Sequence, residues 1–337
     1  MNLDEKTSNK FANLSFLATC LVVLIHAPFG CTEGVVNQTM SRLVRFGLCA
    51  VAVPFFFFTS GFFLMGKYAE GGSRKRVYVT SIRKRIFSLL VPFLIFDTIA
   101  FILKHVAARD WASLSIVDVL SQYGLNPFCH PVYHLLWYVV CLFVLVVIAP
   151  CLVAVIDRSR RAAVGFCVVL FGVCLSAAWA GEQAWFNAKL AFALDHMFSL
   201  LGLFFFGLGC YVRRWLDRVP GRFWMSVTAI TLGLVLCYVF IGKPVIMACA
   251  ALMMGYGLMV LVPDVAWPRW LVRNSFAIYL LHGLLLFGYR LVFPRANLAG
   301  ASGWFAVAIG TIMLCLLIVE TMRKFVPQVV KVVFGGR

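Results

Sequence analysis

Polar interruptions divide this chain into apolar runs, each about 17 to 25 residues long, which is the length a helix needs to cross a bilayer's hydrocarbon. The runs fall near 12–30, 46–66, 86–106, 132–155, 162–180, 190–211, 223–241, 244–262, 270–292 and 303–322. The pattern predicts an all-α, polytopic integral membrane helical bundle of about ten transmembrane helices. Only Gly242, Lys243 and Pro244 separate the seventh run from the eighth, so one broken segment and nine spans is the alternative.

Charge placement tests that alternation. With the N-terminus inside, twenty-two of the 30 Lys and Arg residues fall on the cytoplasmic side. The eight outside are Arg42, Arg45, Lys104, Arg109, Lys189, Lys243, Arg290 and Arg295. Removing one span scrambles every later loop, so the expectation is ten spans with both termini in the cytoplasm. Composition agrees: 63% of residues are hydrophobic, 13% are charged and mean hydropathy is +0.95. In a soluble chain a net charge of +17 suggests nucleic acid, but here the cations gather in short loops and read as membrane orientation, with no nucleic-acid partner expected.

The twelve cysteines show no CxxC or Cys/His spacing, so no metal site is expected. Cys31 and Cys129 lie near loops placed outside, where they are read as two free thiols or as a pair. Lys6 and Lys10 before an apolar run resemble a signal peptide, but no A-x-A site follows and no cleavage is expected. Without an internal repeat or a long polar insert, residues 1–337 read as a single transmembrane domain. The longest outer loop, near 107–131, holds Trp111, Asp118, Tyr123 and His130.

Ionisable side chains at membrane depth are costly, so each is a candidate for function. In the first run Ser15 and His26, eleven residues apart, fall on nearly one helical face with Thr19 between them. His26 is read as a hydrogen-bonded packing residue or as a general base. The second run holds the block from Val53-Pro54 to Ser60-Gly61-Phe62, whose Pro and Gly suggest a helix loosened at mid-membrane around a binding slot, or a tight helix crossing. Tyr133, His134, Trp137 and Tyr138 cluster at the outer end of the fourth run, as an aromatic belt or a polar site. In the ninth run Ser275, Tyr279 and His282 form a stripe that must face protein or water. Asp195 and His196 lie in the sixth run, and Asp97 in the third is expected to pair with Lys104. Six Lys and Arg residues between Arg74 and Arg85 suit phosphate groups of a nucleotide-like donor, or anionic lipid headgroups.

Together these segments resemble the acyltransferase-3 family of membrane acyltransferases, in particular its short members that O-acetylate surface or lipid-linked glycans. Leu21-Val22-Val23-Leu24-Ile25-His26 resembles the first-helix motif that ends in the family's catalytic His, and Val53-Pro54 through Phe62 resembles its second-helix motif. Arg83-Lys84-Arg85 followed by Pro92-Phe93, Tyr133-His134-Leu135-Leu136-Trp137-Tyr138, and Ser275 to His282 are similar to three further family segments. Two positions depart. Ser15 stands where the family usually has an Arg eleven residues before the His, and no Arg-x-x-Arg follows the second span. These departures leave open how a donor is held.

The resemblance implies transfer of an acyl group, most often acetyl, from acyl-CoA to a hydroxyl of a surface or lipid-linked glycan, in a bacterial inner membrane. It implies His26 as the catalytic base. Arg83, Lys84 and Arg85 would bind the CoA phosphates, and Thr59, Ser60 and Gly61 would line the pantetheine path. His134, Trp137, Tyr279 and His282 would border the sugar acceptor. The competing reading is a polysaccharide or lipid-intermediate transporter or flippase without acyl transfer, since polar stripes also build substrate paths.

Overall fold

The computed structural model describes residues 4–28, 34–70, 73–110, 114–117, 119, 131–183, 199–216, 219, 221–292 and 300–336. Cys31, Trp111, Asp118, Tyr123, Cys129, His130, Lys189, Asp195, His196 and Arg295 lie outside the described residues, and so do the expectations placed on them. Within them every regular element is a helix: α1 Glu5–His26, α2 Ala52–Ala69, α3 Arg74–Arg85, α4 Val91–Ala108, α5 Trp137–Arg158, α6 Arg160–Gly181, α7 Leu200–Trp215, α8 Phe223–Val239, α9 Pro244–Leu261, α10 Ser275–Val292 and α11 Gly300–Phe325, with short turns of helix between them.

Among the described residues, eight helical segments are long and apolar enough to cross a membrane. The two remaining sequence runs also have helical counterparts. Helix α8 has 17 residues, and α7 has 16 described residues, the earlier part of its run lying outside the described chain. Helices α8 and α9 are separate, joined by a turn in which Gly242 takes φ +80°, a conformation open to glycine. They then pack antiparallel, with Gly233 against Met254 and Gly257 against Ile230. The single broken segment is therefore not what the chain forms.

The second run also differs from expectation. Pro54 is the third residue of α2, and the residue four before it, Ala50, lies in an irregular turn, where a proline leaves the helix without its usual hydrogen bond. The irregularity sits earlier, in a wide turn over Ser41–Gly47 and a tight one over Leu48–Val51. Beyond them α2 runs unbroken through Gly61. A Cβ at Gly61 would stand 2.0 Å from the Phe206 carbonyl oxygen, and one at Gly209 would stand 2.0 Å from that of Phe58. The two helices therefore press backbone on backbone, and the Cys210 thiol donates to the Gly61 carbonyl at 3.3 Å. Gly61 belongs to a tight crossing and not to a loosened slot.

Around this pair a core of large apolar side chains, including Phe57, Phe62, Phe93, Phe96 and Phe206, joins α2, α4, α5 and α7. Helix α1 leans on this core with Phe11 and Leu14, and on α10 and α11 with Val23 and Ala27. At the Arg323 end of α11, Asn274 is fully buried, donating to Glu320 Oε1 at 2.6 Å and accepting from Arg323 at 2.8 Å, while Arg273 pairs with Glu320. This network fixes the start of α10 against α11.

Candidate active site

The two polar stripes expected on the first and ninth runs meet. Helices α1 and α10 pack together, and Thr19 donates to its own helix at Ser15 O, 2.9 Å, and approaches Ser275 O at 3.4 Å. Ser15 and Ser275 likewise return their hydroxyl protons to local carbonyls, Phe11 O at 2.7 Å and Val272 O at 2.8 Å. The far ends of the stripes are the two histidines, whose rings lie 5.3 Å apart at an interplanar angle of 54°.

Backbone carbonyls fix the tautomer of both imidazoles. His26 Nδ1 lies 2.8 Å from Val22 O, and His282 Nδ1 lies 2.7 Å from Tyr279 O. A carbonyl only accepts, so each Nδ1 carries the hydrogen and each Nε2 is left with a lone pair. His282 is fully buried, and its Nε2 has no hydrogen-bond partner among the described residues. His26 is half-buried and lines a cavity of about 450 Å³ with Lys104, Tyr133, His134, Leu135, Gly283 and Arg290 among its walls. The charges of Arg45 and Arg290 also reach the His26 ring.

One wall of this cavity is the segment before α5, and three contacts hold it. The buried Asp97 does not pair with Lys104 as expected. Its Oδ1 instead accepts the Tyr133 N–H at 2.8 Å, since a carboxylate stripped of water takes the nearest donor of fixed geometry. The Tyr133 hydroxyl donates to Leu280 O at 3.1 Å, and the Tyr279 hydroxyl donates to Leu135 O. Gly283 lets the segment close on α10, because a Cβ there would lie 2.1 Å from Leu135 Cδ1 and 2.3 Å from Tyr133 Oη. His134 is exposed and lines the cavity, whereas Trp137 is half-buried at the edge of the main core and lines neither of the cavities described here.

A second cavity, of about 260 Å³, lies toward the opposite end of α1, with Ser15, Thr59, Ser60, Arg85, Tyr138 and Tyr279 in its lining. Tyr279 closes it on the side of the histidines. Tyr279, which lines this cavity, donates its hydroxyl to the carbonyl of Leu135, a lining residue of the first, and its ring lies 6.0 Å from that of His282. Of the basic stretch only Arg85 enters this lining, and no carboxylate pairs with it among the described residues. Arg83 and Lys84 are exposed on α3 and are not among its lining residues. Thr59 and Ser60 face the cavity, whereas Gly61, on the other side of α2, faces α7.

Sequence reasoning thus found His26, His134, Tyr279, His282, Thr59, Ser60 and Arg85 at the two cavities. It named Tyr133 within the cluster before α5 and missed the place of Lys104, Arg290 and Gly283 in the cavity wall. Lys104 and Arg290 carried one signal, being among the few cations on the side where the charge rule puts few. Gly283 carried none, because a glycine within an apolar helix has many uses.

The arrangement defines a membrane-embedded helical protein with two packed imidazoles, one of them lining a cavity, and a second cavity toward the other end of α1. Among known protein families the chain matches the acyltransferase domain family (Acyl_transf_3) over residues 13–320, nearly its whole length. It belongs to that family and is a membrane acyltransferase. Comparison with curated proteins and with solved structures finds no match.

Proposed function

We propose that the protein transfers an acyl group, most simply acetyl, from cytosolic acyl-CoA to a hydroxyl of a lipid-linked or exported glycan at the bacterial inner membrane. The supporting observation is the His26 imidazole, held at Nδ1 by Val22 O in the lining of one cavity, with Tyr279 linking that cavity's wall to a second cavity lined by Arg85. With the basic helix α3 on the cytoplasmic side, the Arg85 cavity receives the donor and the His26 cavity the acceptor. Arg85 anchors a CoA phosphate, aided by Lys67 and Lys84 in the same positive field. The acyl-pantetheine arm passes Thr59 and Ser60 toward Tyr279, and His134 borders the sugar.

In this mechanism His26 Nε2 removes the proton from the acceptor hydroxyl as its oxygen attacks the thioester carbonyl. The carbon–sulfur bond then breaks. CoA leaves as a thiolate that recovers the proton from His26, and the ester remains on the sugar. His282 packs against the base and keeps its ring from turning.

The test uses membranes containing the full chain, given acetyl-CoA labelled in the acetyl group. The expected result is release of free CoA with the label ester-linked to glycan, and a loss of about 10²- to 10⁴-fold in His26→Gln, the usual contribution of a general base. Two cavities set toward opposite ends of α1 also suit alternating access. A protein that consumes no acyl-CoA while its loss blocks glycan export would establish the transport reading instead.

A further inference from the structure

Cations are scarce on the side of the membrane where the His26 cavity opens in the orientation proposed above, and some of those in the described residues already have partners. Lys243 pairs with Glu182 at 3.6 Å, Arg42 donates to the Tyr238 carbonyl at 3.4 Å, and Arg45 lies over the Phe46 ring. Arg109 closes the end of α4 in a left-handed conformation, φ 55°. Lys104 from α4 and Arg290 from α10 are the two set in the lining of the His26 cavity. Neither forms an ion pair or hydrogen bond among the described residues, and both line the cavity that holds His26. His134 is the third basic side chain in that wall.

No Asp or Glu is among the described residues lining the cavity. The nearest carboxylate in the wall's own scaffold, Asp97, is buried behind it and committed to the Tyr133 N–H. A concave site with one sign of charge and low-dielectric walls focuses its field on whatever enters. Positive-inside topology disfavours cations on this face, so two of them lining one cavity, with no partner among the described residues, call for a ligand that supplies the negative charge.

We infer that the acceptor is an anionic sugar, its oxyanion held by Lys104 and Arg290 so that a neighbouring hydroxyl meets His26. This rests on the acyl-transfer reading above. Two sources supply such an oxyanion: a carboxylate on the sugar itself, as in a uronic acid, or the phosphate that links a sugar to its lipid carrier. Arg290 offers a planar fork suited to either, and Lys104 a mobile point charge.

The experiment has a binding arm that needs no turnover. The full chain in nanodiscs is titrated with three radiolabelled probes: a neutral hexoside, the matching hexuronide and a hexosyl phosphodiester. Each charge-assisted contact changes affinity by about tenfold. At least one anionic probe should therefore bind about tenfold or more tighter than the neutral one, with a preference that shrinks as salt rises. Lys104→Gln and Arg290→Gln should each remove most of that preference and leave neutral-probe binding unchanged, and Lys104→Arg should restore it. The stronger anionic probe identifies the source. Equal binding of all three probes, or substitutions that weaken the neutral probe as much, overturns the inference. The second arm measures CoA release from acetyl-CoA with each probe. An anion preference without CoA release keeps the binding site and refutes acyl transfer, whereas release with equal KM for all probes does the reverse.

Discussion

Adding one methyl group at Gly283 should separate activity from stability. Its Cβ would lie 2.1 Å from Leu135 Cδ1 and 2.3 Å from Tyr133 Oη, so the neighbours must retreat by roughly an ångström or more to reach ordinary contact. They cannot do so freely. Tyr133 is tied at its N–H to Asp97 and at its hydroxyl to Leu280 O, and Leu135 O receives the Tyr279 hydroxyl. The strain therefore falls on the whole wall of the His26 cavity. Overpacking costs about 1–3 kcal/mol, partly offset by the ~1 kcal/mol that alanine gains over glycine in a helix. Gly283→Ala should thus lower stability by no more than about 2 kcal/mol. A wall displaced by about 1 Å, however, misplaces the acceptor enough to lower transfer about 10²-fold. Gly288→Ala is the internal control, since nothing lies within 4 Å of its Cβ. It should keep full activity and unfold at the same or a slightly higher temperature. The assay is CoA release from acetyl-CoA in membranes at matched protein levels, with thermal unfolding in detergent alongside. If Gly283→Ala and Gly288→Ala have equal activity, the wall does not position the acceptor and the reasoning fails.

Two other substitutions probe the supports of the site. Asp97→Ala leaves the buried Tyr133 N–H without an acceptor and should cost about 1–3 kcal/mol by thermal unfolding, whereas Asp97→Asn, which keeps the acceptor oxygen, should fall within about 1 kcal/mol of the parent. Arg85→Gln should raise the KM for acetyl-CoA by about tenfold with little change in kcat, and should flatten the dependence of that KM on salt, as expected for a cation that holds a phosphate rather than the reacting atoms.

The bundle was legible because burial in lipid leaves a direct trace: an apolar run of fixed length must become a helix, and each of the ten expected runs has one among the described residues. The polar stripes were legible for the same reason. A Ser, Tyr or His on an apolar helix has few places to face, and Ser15, Thr19 and His26 duly meet Ser275, Tyr279 and His282. The role of Asp97 was not legible. Lys104 is near in sequence, but the donor that fixes Asp97 is a backbone N–H 36 residues away, brought by the segment before α5. Nor was it legible that Arg85 alone of its run lines a cavity, because three consecutive residues on a helix point in three directions and the sequence does not say which one meets a partner. Gly61 was ambiguous for a related reason: a glycine serves a loosened helix or a close crossing equally well, and the Phe206 carbonyl that decides it comes from a distant helix.

The crossing of α2 and α7 has a mechanical consequence. Each helix seats a carbonyl of the other against a glycine, at two points on the contact, so neither sliding nor rolling is open to the pair without a backbone collision. They form a fixed post. Because Thr59 and Ser60 stand on α2, the wall they give to the second cavity is the one pinned in place by this contact.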